Sequence, residues 1–176
     1  MIGEKSFTSL EEAFAAVPDC EDMINGEPTY VKLKGTIEVN NTINVPEKNI
    51  MLVAAEDNTT IKRVAGFTES MFTVNGGNLQ MAGGSVTDSD GNAIGSGSLT
   101  VDGTGDDVTG SIVEVASGNY ALIDGTTLTG NITTGNGGAV NNAAGANIFW
   151  VVLSQQTPQQ QAVRFTVREL SIFVEL

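Results

Sequence analysis

Residues 72–87 read FTVNGGNLQMAGGSVT, and residues 113–130 read VEVASGNYALIDGTTLTG. Side by side, Phe72 falls on Val113, Val74 on Val115 and Gly77-Asn78 on Gly118-Asn119. Leu79 then falls on Tyr120, Met81 on Leu122 and Gly84 on Gly125, all at an offset of 41 residues. Apolar letters and glycines persist while the positions between them drift. A chain that repeats its buried positions and its corners, and little else, is stacking equivalent segments on one another.

The offset divides into smaller steps. Apolar-x-apolar segments ahead of a glycine turn occur at Leu79-Gln80-Met81, Leu99-Thr100-Val101 and Tyr120-Ala121-Leu122, spaced by 20 and 21 residues. A second class of short strand follows at Val86, Val108 and Leu128, and a third at Phe72–Val74, Ile94, Val113–Val115 and Ala139-Val140. Three strand positions recurring with a period near 20 predict an all-β chain, a single-stranded parallel β-helix. It would have three sheets and four to five coils, with the 41-residue echo spanning two of them. Coils ~4.8 Å apart would make a prism ~20–25 Å tall. Gly and Asn suit the corners because they tolerate positive φ. A β-sandwich or jelly roll also has regularly spaced short strands, but not a repeated three-position register.

Outside the repeat the pattern changes twice. SLEEAFAAV, residues 9–17, pairs Ser9 with Glu12 as a capping box, sets Leu10, Ala13, Phe14 and Val17 on one face, and stops at Pro18. It predicts a short capping helix within an N-terminal cap over residues 1–28. Coils are expected over 29–148 and non-repeat strands over 149–176. In the last segment Val163, Phe165 and Val167 alternate with Arg164, Thr166 and Arg168, and Leu170, Ile172, Val174 and Leu176 continue the alternation after a phase slip. That apolar surface needs cover, either as a C-terminal plug or as a homo-oligomer contact through residues 163–176.

Charge narrows the partners. The net charge is −13, and Val64 to Val163 holds eight Asp or Glu but no Lys or Arg. Nucleic acid and anionic membrane surfaces are therefore poor partners. No run of 18 apolar residues predicts membrane insertion. Cys20 is the only cysteine and His is absent, which removes disulfides, cysteine-pair metal sites and the commonest general base. MIGEKSF lacks a signal-peptide h-region, so an extracellular or cell-surface location would require a signal not present in this chain.

Several longer motifs carry a family resemblance. Val45 to Leu52 reads Val-Pro-x-x-x-Ile-x-Leu, Thr60 to Arg63 reads Thr-Ile-Lys-Arg, and Phe72 to Leu79 reads Phe-x-Val-x-x-Gly-x-Leu. Leu128 to Asn131 and Gly137 to Val140 add Leu-Thr-Gly-Asn and Gly-Gly-Ala-Val. Over residues 29–142 the chain resembles the pectate-lyase-like right-handed parallel β-helix domains of bacterial adhesin-like surface proteins. The resemblance implies a secreted or cell-surface module for adhesion, glycan binding or structural spacing, with a glycan or host-surface ligand. It also raises a carbohydrate-active alternative. Lyases of this fold hold Ca²⁺ with carboxylates, for which Asp102, Asp106, Asp107 and Asp124 are available, and use a basic residue that only Lys62 or Arg63 could supply here.

Other chemistry is sparse, and no catalytic constellation assembles. Asp102 and Asp124 lie about one 20-residue step apart after similar strands, which makes them the candidate catalytic pair for glycoside hydrolysis. Asp88, Asp90 and Asn92 match the first ligand positions of a Ca²⁺ loop, but Ala93 and Leu99 replace its Gly and Glu. Calcium is thus the one cofactor the sequence raises. Thr126-Thr127-Leu128-Thr129 has the Thr-x-Thr spacing of ice-binding faces, on a single coil. Asn40, Asn58 and Asn131 begin Asn-x-Thr triplets, glycan acceptors in a glycosylating pathway and polar corners otherwise.

Overall fold

Helix α1, Leu10–Ala16, opens the fold where its capping residues place it. Ser9 Oγ accepts from Glu12 N, while the Glu12 carboxylate reaches back to Thr8 N and Oγ1, one residue earlier than a standard capping box. Leu10, Ala13, Phe14 and Val17 are buried. Lys48 Nζ donates to the carbonyls of Phe14, Ala15 and Val17, so a cation sits at the negative end of the helix dipole.

The computed structural model describes residues 6–20, 26–143 and 145–151, and it is mostly β with this one short helix. The strands are β1 (Thr29–Leu33), β2 (Thr36–Val39), β3 (Ile43–Val45), β4 (Asn49–Ala54), β5 (Thr59–Arg63), β6 (Phe72–Ala82) and β7 (Val86–Thr87). After them come β8 (Ala93–Gly95), β9 (Leu99–Asp102), β10 (Val113–Ile123), β11 (Thr126–Thr129), β12 (Val140–Asn142) and β13 (Asn147–Val151). A seven-stranded parallel sheet runs β1-β4-β6-β10-β12, with β3 also on β6 and β13 also on β10. A four-stranded parallel sheet runs β2-β5-β9-β11. The chain visits these sheets alternately, so each parallel neighbour arrives only after a long excursion.

Register explains the repeated letters. Thr29, Ile50, Leu79, Tyr120 and Ile148 are successive partners, as are Ile43, Phe72, Val113 and Val140. In the smaller sheet Ile37, Ile61, Val101 and Leu128 line up. Members of all three columns join one apolar cluster with the helix face. At the strand ends Asn49, Asn78, Asn119 and Asn147 form an amide column, in which Asn78 Nδ2 donates to Asn49 Oδ1 at 2.9 Å and Asn147 Nδ2 to Asn119 Oδ1 at 3.0 Å. β6 and β10 bend between their two halves, where a Cβ on Gly77 would lie 2.0 Å from Pro46 O and one on Gly118 (φ +88°) 2.3 Å from Gly77 O. Neighbouring backbones leave no room for a side chain at that corner.

The period is not 20. Phe72 and Leu79 pair directly with Val113 and Tyr120, so the 41-residue echo is one step and not two. Other steps along the same column are 21 residues (Thr29 to Ile50), 29 (Ile50 to Leu79) and 28 (Tyr120 to Ile148). Leu99–Val101 belongs to the smaller sheet, beside β5 and β11, and not with Leu79 and Tyr120. The error has a physical source: an inward-outward-inward strand spells apolar-x-apolar in whichever sheet it stands.

Part of the extra length in the 41-residue step is an antiparallel hairpin, β7–β8. Val86 and Ile94, assigned above to the second and third strand classes, both stand in it. Gly84 N donates to Gly97 O at 2.6 Å and closes its base. Val86 and Ile94 pack on Val53 and Ala82, which point away from the main core in their strands yet are fully buried. Val108, also placed above in the second class, lies in a loop. β13 carries the larger sheet through Val151, three residues past the boundary expected at 148. The strands and contacts expected for 163–176 lie outside the described residues.

Candidate functional site

Among the described residues the outer surface carries two polar features: a cleft on the larger sheet and the flat face of the smaller one. The cleft, about 320 Å³, is lined by Thr42, Glu69, Ser70, Thr73, Thr109 and Glu114. Thr73 and Glu114 in its wall are the middle members of the outward column Asn44–Thr73–Glu114–Asn141, held in register by β3, β6, β10 and β12. Its rim is the pair of loops that precede β6 and β10. These loops pair with each other: Thr109 N and Gly110 N both donate to Thr68 O, and Met71 N donates to Ser111 O.

Hydroxyls and carboxylates interlock inside it. Ser70 Oγ donates to Glu114 Oε2 at 3.3 Å, lies 3.4 Å from Ser111 Oγ and accepts from Ser111 N at 3.2 Å. Thr42 Oγ1 donates to Ser70 O, and Thr109 Oγ1 to Thr68 O. Ser70 is buried, Thr73 and Glu114 are half-buried, and Glu69 and Thr109 are exposed. The arrangement offers several hydroxyls and two carboxylates, with no Lys or Arg in the lining.

Beneath the rim lies Arg63, 1% exposed. Nε donates to Gly103 O at 3.1 Å. One terminal nitrogen serves Phe67 O and Glu69 O, and the other Ser111 O and Asn131 Oδ1. All five guanidinium N–H groups are used. The ring of Phe67 lies 5.1 Å from its Cζ. Burial lowers its pKa, although an arginine stays charged at neutral pH. Asn131 completes the clamp by donating Nδ2 to Gly110 O and Gly138 O. That amide nitrogen is therefore committed inside the protein, which leaves the Asn131 triplet a structural corner.

On the smaller sheet, Thr36, Thr60, Thr100 and Thr127 form one outward threonine column. Beside it run Glu38, Lys62 and Asp102, charges of alternating sign, followed by Thr129. Thr-x-Thr therefore stays confined to β11, while a single-width threonine ladder crosses all four strands.

The candidate catalytic carboxylates do not share a place. Asp102 ends β9 beside Thr129, whereas Asp124 lies two residues ahead of β11, which begins at Thr126. Most of a strand, on the order of 10 Å at ~3.3 Å per residue, separates the two corners. Asp102 Oδ1 accepts from Thr104 N and Oγ1; the Thr104 side-chain bond and nearby Lys62 hold it below the usual carboxylate range. Asp124 Oδ1 accepts from Gly125 N. Lys62 thus neighbours Asp102, but Arg63 is sealed inside. Asp106 and Asp107 are exposed in the loop after β9.

Asp88 spends its oxygens on its own turn. Oδ1 accepts from Asp90 N and Asn92 N, and Oδ2 from Asn92 Nδ2, which lowers its pKa. Asp88, Asp90 and Asn92 therefore make the hairpin turn of β7–β8. Among the described residues no group of three or more His, Cys, Asp or Glu could hold a metal ion, and no helix is long and apolar enough to cross a membrane.

The cleft went unnoticed in the sequence, though a signal was there. The 41-residue offset extends upstream of Phe72, matching Thr68 with Thr109 and Ser70 with Ser111. No protein-family model, no curated protein and no solved structure matches the chain.

Proposed function

We propose that the chain is a right-handed parallel β-helix module of the pectate-lyase-like kind, secreted or displayed at a cell surface, that binds glycan in the cleft of Thr73 and Glu114. The winding is supported by parallel neighbours 21 to 41 residues apart whose inward side chains share one core. The observation that carries the binding role is the cleft itself: about 320 Å³ lined by hydroxyls and two carboxylates, with Thr73 and Glu114 on paired strands and Glu69, Ser70 and Thr109 on the hydrogen-bonded loops ahead of them. Strand-borne groups are already ordered, so little freedom is lost when hydroxyls of a sugar replace water there.

A glycan array followed by a reducing-sugar assay on any hit tests this reading. Binding without product release, abolished by Thr73→Trp in the cleft and unaffected by Thr127→Trp on the smaller sheet, is the expected result. Failure to bind any glycan would overturn it.

A second reading is favoured by one observation, the presence of Glu69 and Glu114 at the same cleft. Glycoside hydrolysis needs two carboxylates across a bond. Product release that disappears in Glu114→Gln would make the module an enzyme, with these residues in place of Asp102 and Asp124.

A further inference from the structure

The charge of the cleft restricts which glycan it can hold. Its two ionisable groups are both carboxylates, and the cation beneath its rim, Arg63, has no N–H left to donate to a ligand. Arg63 is 1% exposed and every N–H it owns is already donated to Gly103, Phe67, Glu69, Ser111 and Asn131. A uronate brought into the cleft would meet two like charges with no cationic donor to receive it, and the buried charge of Arg63 offsets only one of them, which costs affinity. A sugar with an ammonium group would find a partner in Glu114, half-buried on β10 and therefore less screened than a surface carboxylate. An organic ammonium needs only one or two acceptors, and the hydroxyls of Thr42 and Thr109, whose protons go to Ser70 O and Thr68 O, are left with Thr73 to accept from the hydroxyls of the sugar.

We propose that the cleft takes a hexosamine unit with a free amine, its nitrogen on Glu114 and Glu69 and its hydroxyls on the threonines. This rests on the reading of the cleft as a glycan site. The test is calorimetric titration of the full chain, at physiological salt, with four probes: a glucosamine tetramer, its N-acetylated counterpart, a galacturonate tetramer and spermidine.

The glucosamine tetramer should bind at least about tenfold more tightly than the acetylated one, a difference of ~1.4 kcal/mol, and galacturonate should not bind. Glu114→Gln, which keeps an acceptor for Ser70, should weaken it by about tenfold or more, and Glu69→Gln by less because that residue is more exposed. The net charge of −13 would attract any polycation, so the double variant Asp106→Asn, Asp107→Asn serves as the control. It should bind within about twofold of the natural chain.

Equal affinity for both glucosamine forms would discard the amine and leave the glycan site standing. An equal loss in the aspartate control would reassign the binding to diffuse surface charge, and spermidine binding as tightly would remove the role of the hydroxyls. Silence from all three oligosaccharides would overturn both this proposal and the glycan reading beneath it.

Discussion

Arg63 shows what a single residue does for this surface. It ties Phe67 and Glu69 ahead of β6 to Gly103, Ser111 and Asn131, which lie on two later passes of the chain. Replacing it with Met keeps much of the volume and strands four backbone carbonyls and one amide oxygen. Arg63→Met should therefore cost about 3–5 kcal/mol, read from urea unfolding. Arg63→Lys should recover little, since a single ammonium cannot reach acceptors spread around a planar fork. Tyr120 gives the second test at this scale. It is fully buried, its hydroxyl donates to Met81 Sδ at 3.4 Å, and burial pushes its phenol well above the ordinary tyrosine value. With the folded pKa above the unfolded value of ~10, this stabilisation is complete below about pH 10 and is lost as the pH rises further, by ~1.4 kcal/mol per unit. Tyr120→Phe should flatten the decline in urea midpoint between about pH 10 and 11 while changing neutral stability by about 1 kcal/mol or less.

Elements reveal which parts of the fold could be read in letters. The helix was legible because caps and apolar spacing are local. The Phe72–Leu79 echo was legible because two strands pressed against each other in register must bury similar side chains. What misled was the step between them. Strand pairing fixes register within a sheet but not how much chain intervenes, so Val86, Ile94 and Leu99 could be inserted into a false period of 20. The cleft was invisible for a related reason: Glu114 stands over Thr73 only once the whole 41-residue offset is taken as one step. Hairpin β7–β8 makes the consequence testable. Its base is closed by Gly84 and Gly97, so excising residues 85–96 should leave the parallel sheets intact. Val53 and Ala82 would then face water in place of Val86 and Ile94. Stability should fall by about 2 kcal/mol and dye binding to apolar surface should rise. Collapse of the far-ultraviolet strand signal would instead mean that the hairpin is integral to the stack.

At the scale of the whole molecule, parallel strands that stack along one direction leave two ends, and each end must be dealt with. The first carries Ile43 and Val45, buried in the same cluster as Leu10, Phe14 and Val17 of α1. Lys48 fastens the helix there through its last carbonyls. The other end is β13, where Ile148 and Phe149 are 39% and 38% exposed. Ile148 continues the inward column of Leu79 and Tyr120, so its exposure belongs to a core that has reached its last described strand. An end of a parallel stack that is left uncovered can pair with another copy. Removing residues 1–17 would create a second such end by baring Ile43 and Val45, and the truncated chain should associate at concentrations where the natural chain does not. Lys48→Met, which loosens the helix without removing it, should lie between the two. Its loss of the helix-end contacts is expected at about 1–2 kcal/mol, or a melting temperature a few degrees lower. Sedimentation at matched concentrations orders the three proteins. If the truncated chain sediments as the natural one does, the helix is an appendage and the stack ends without help from it.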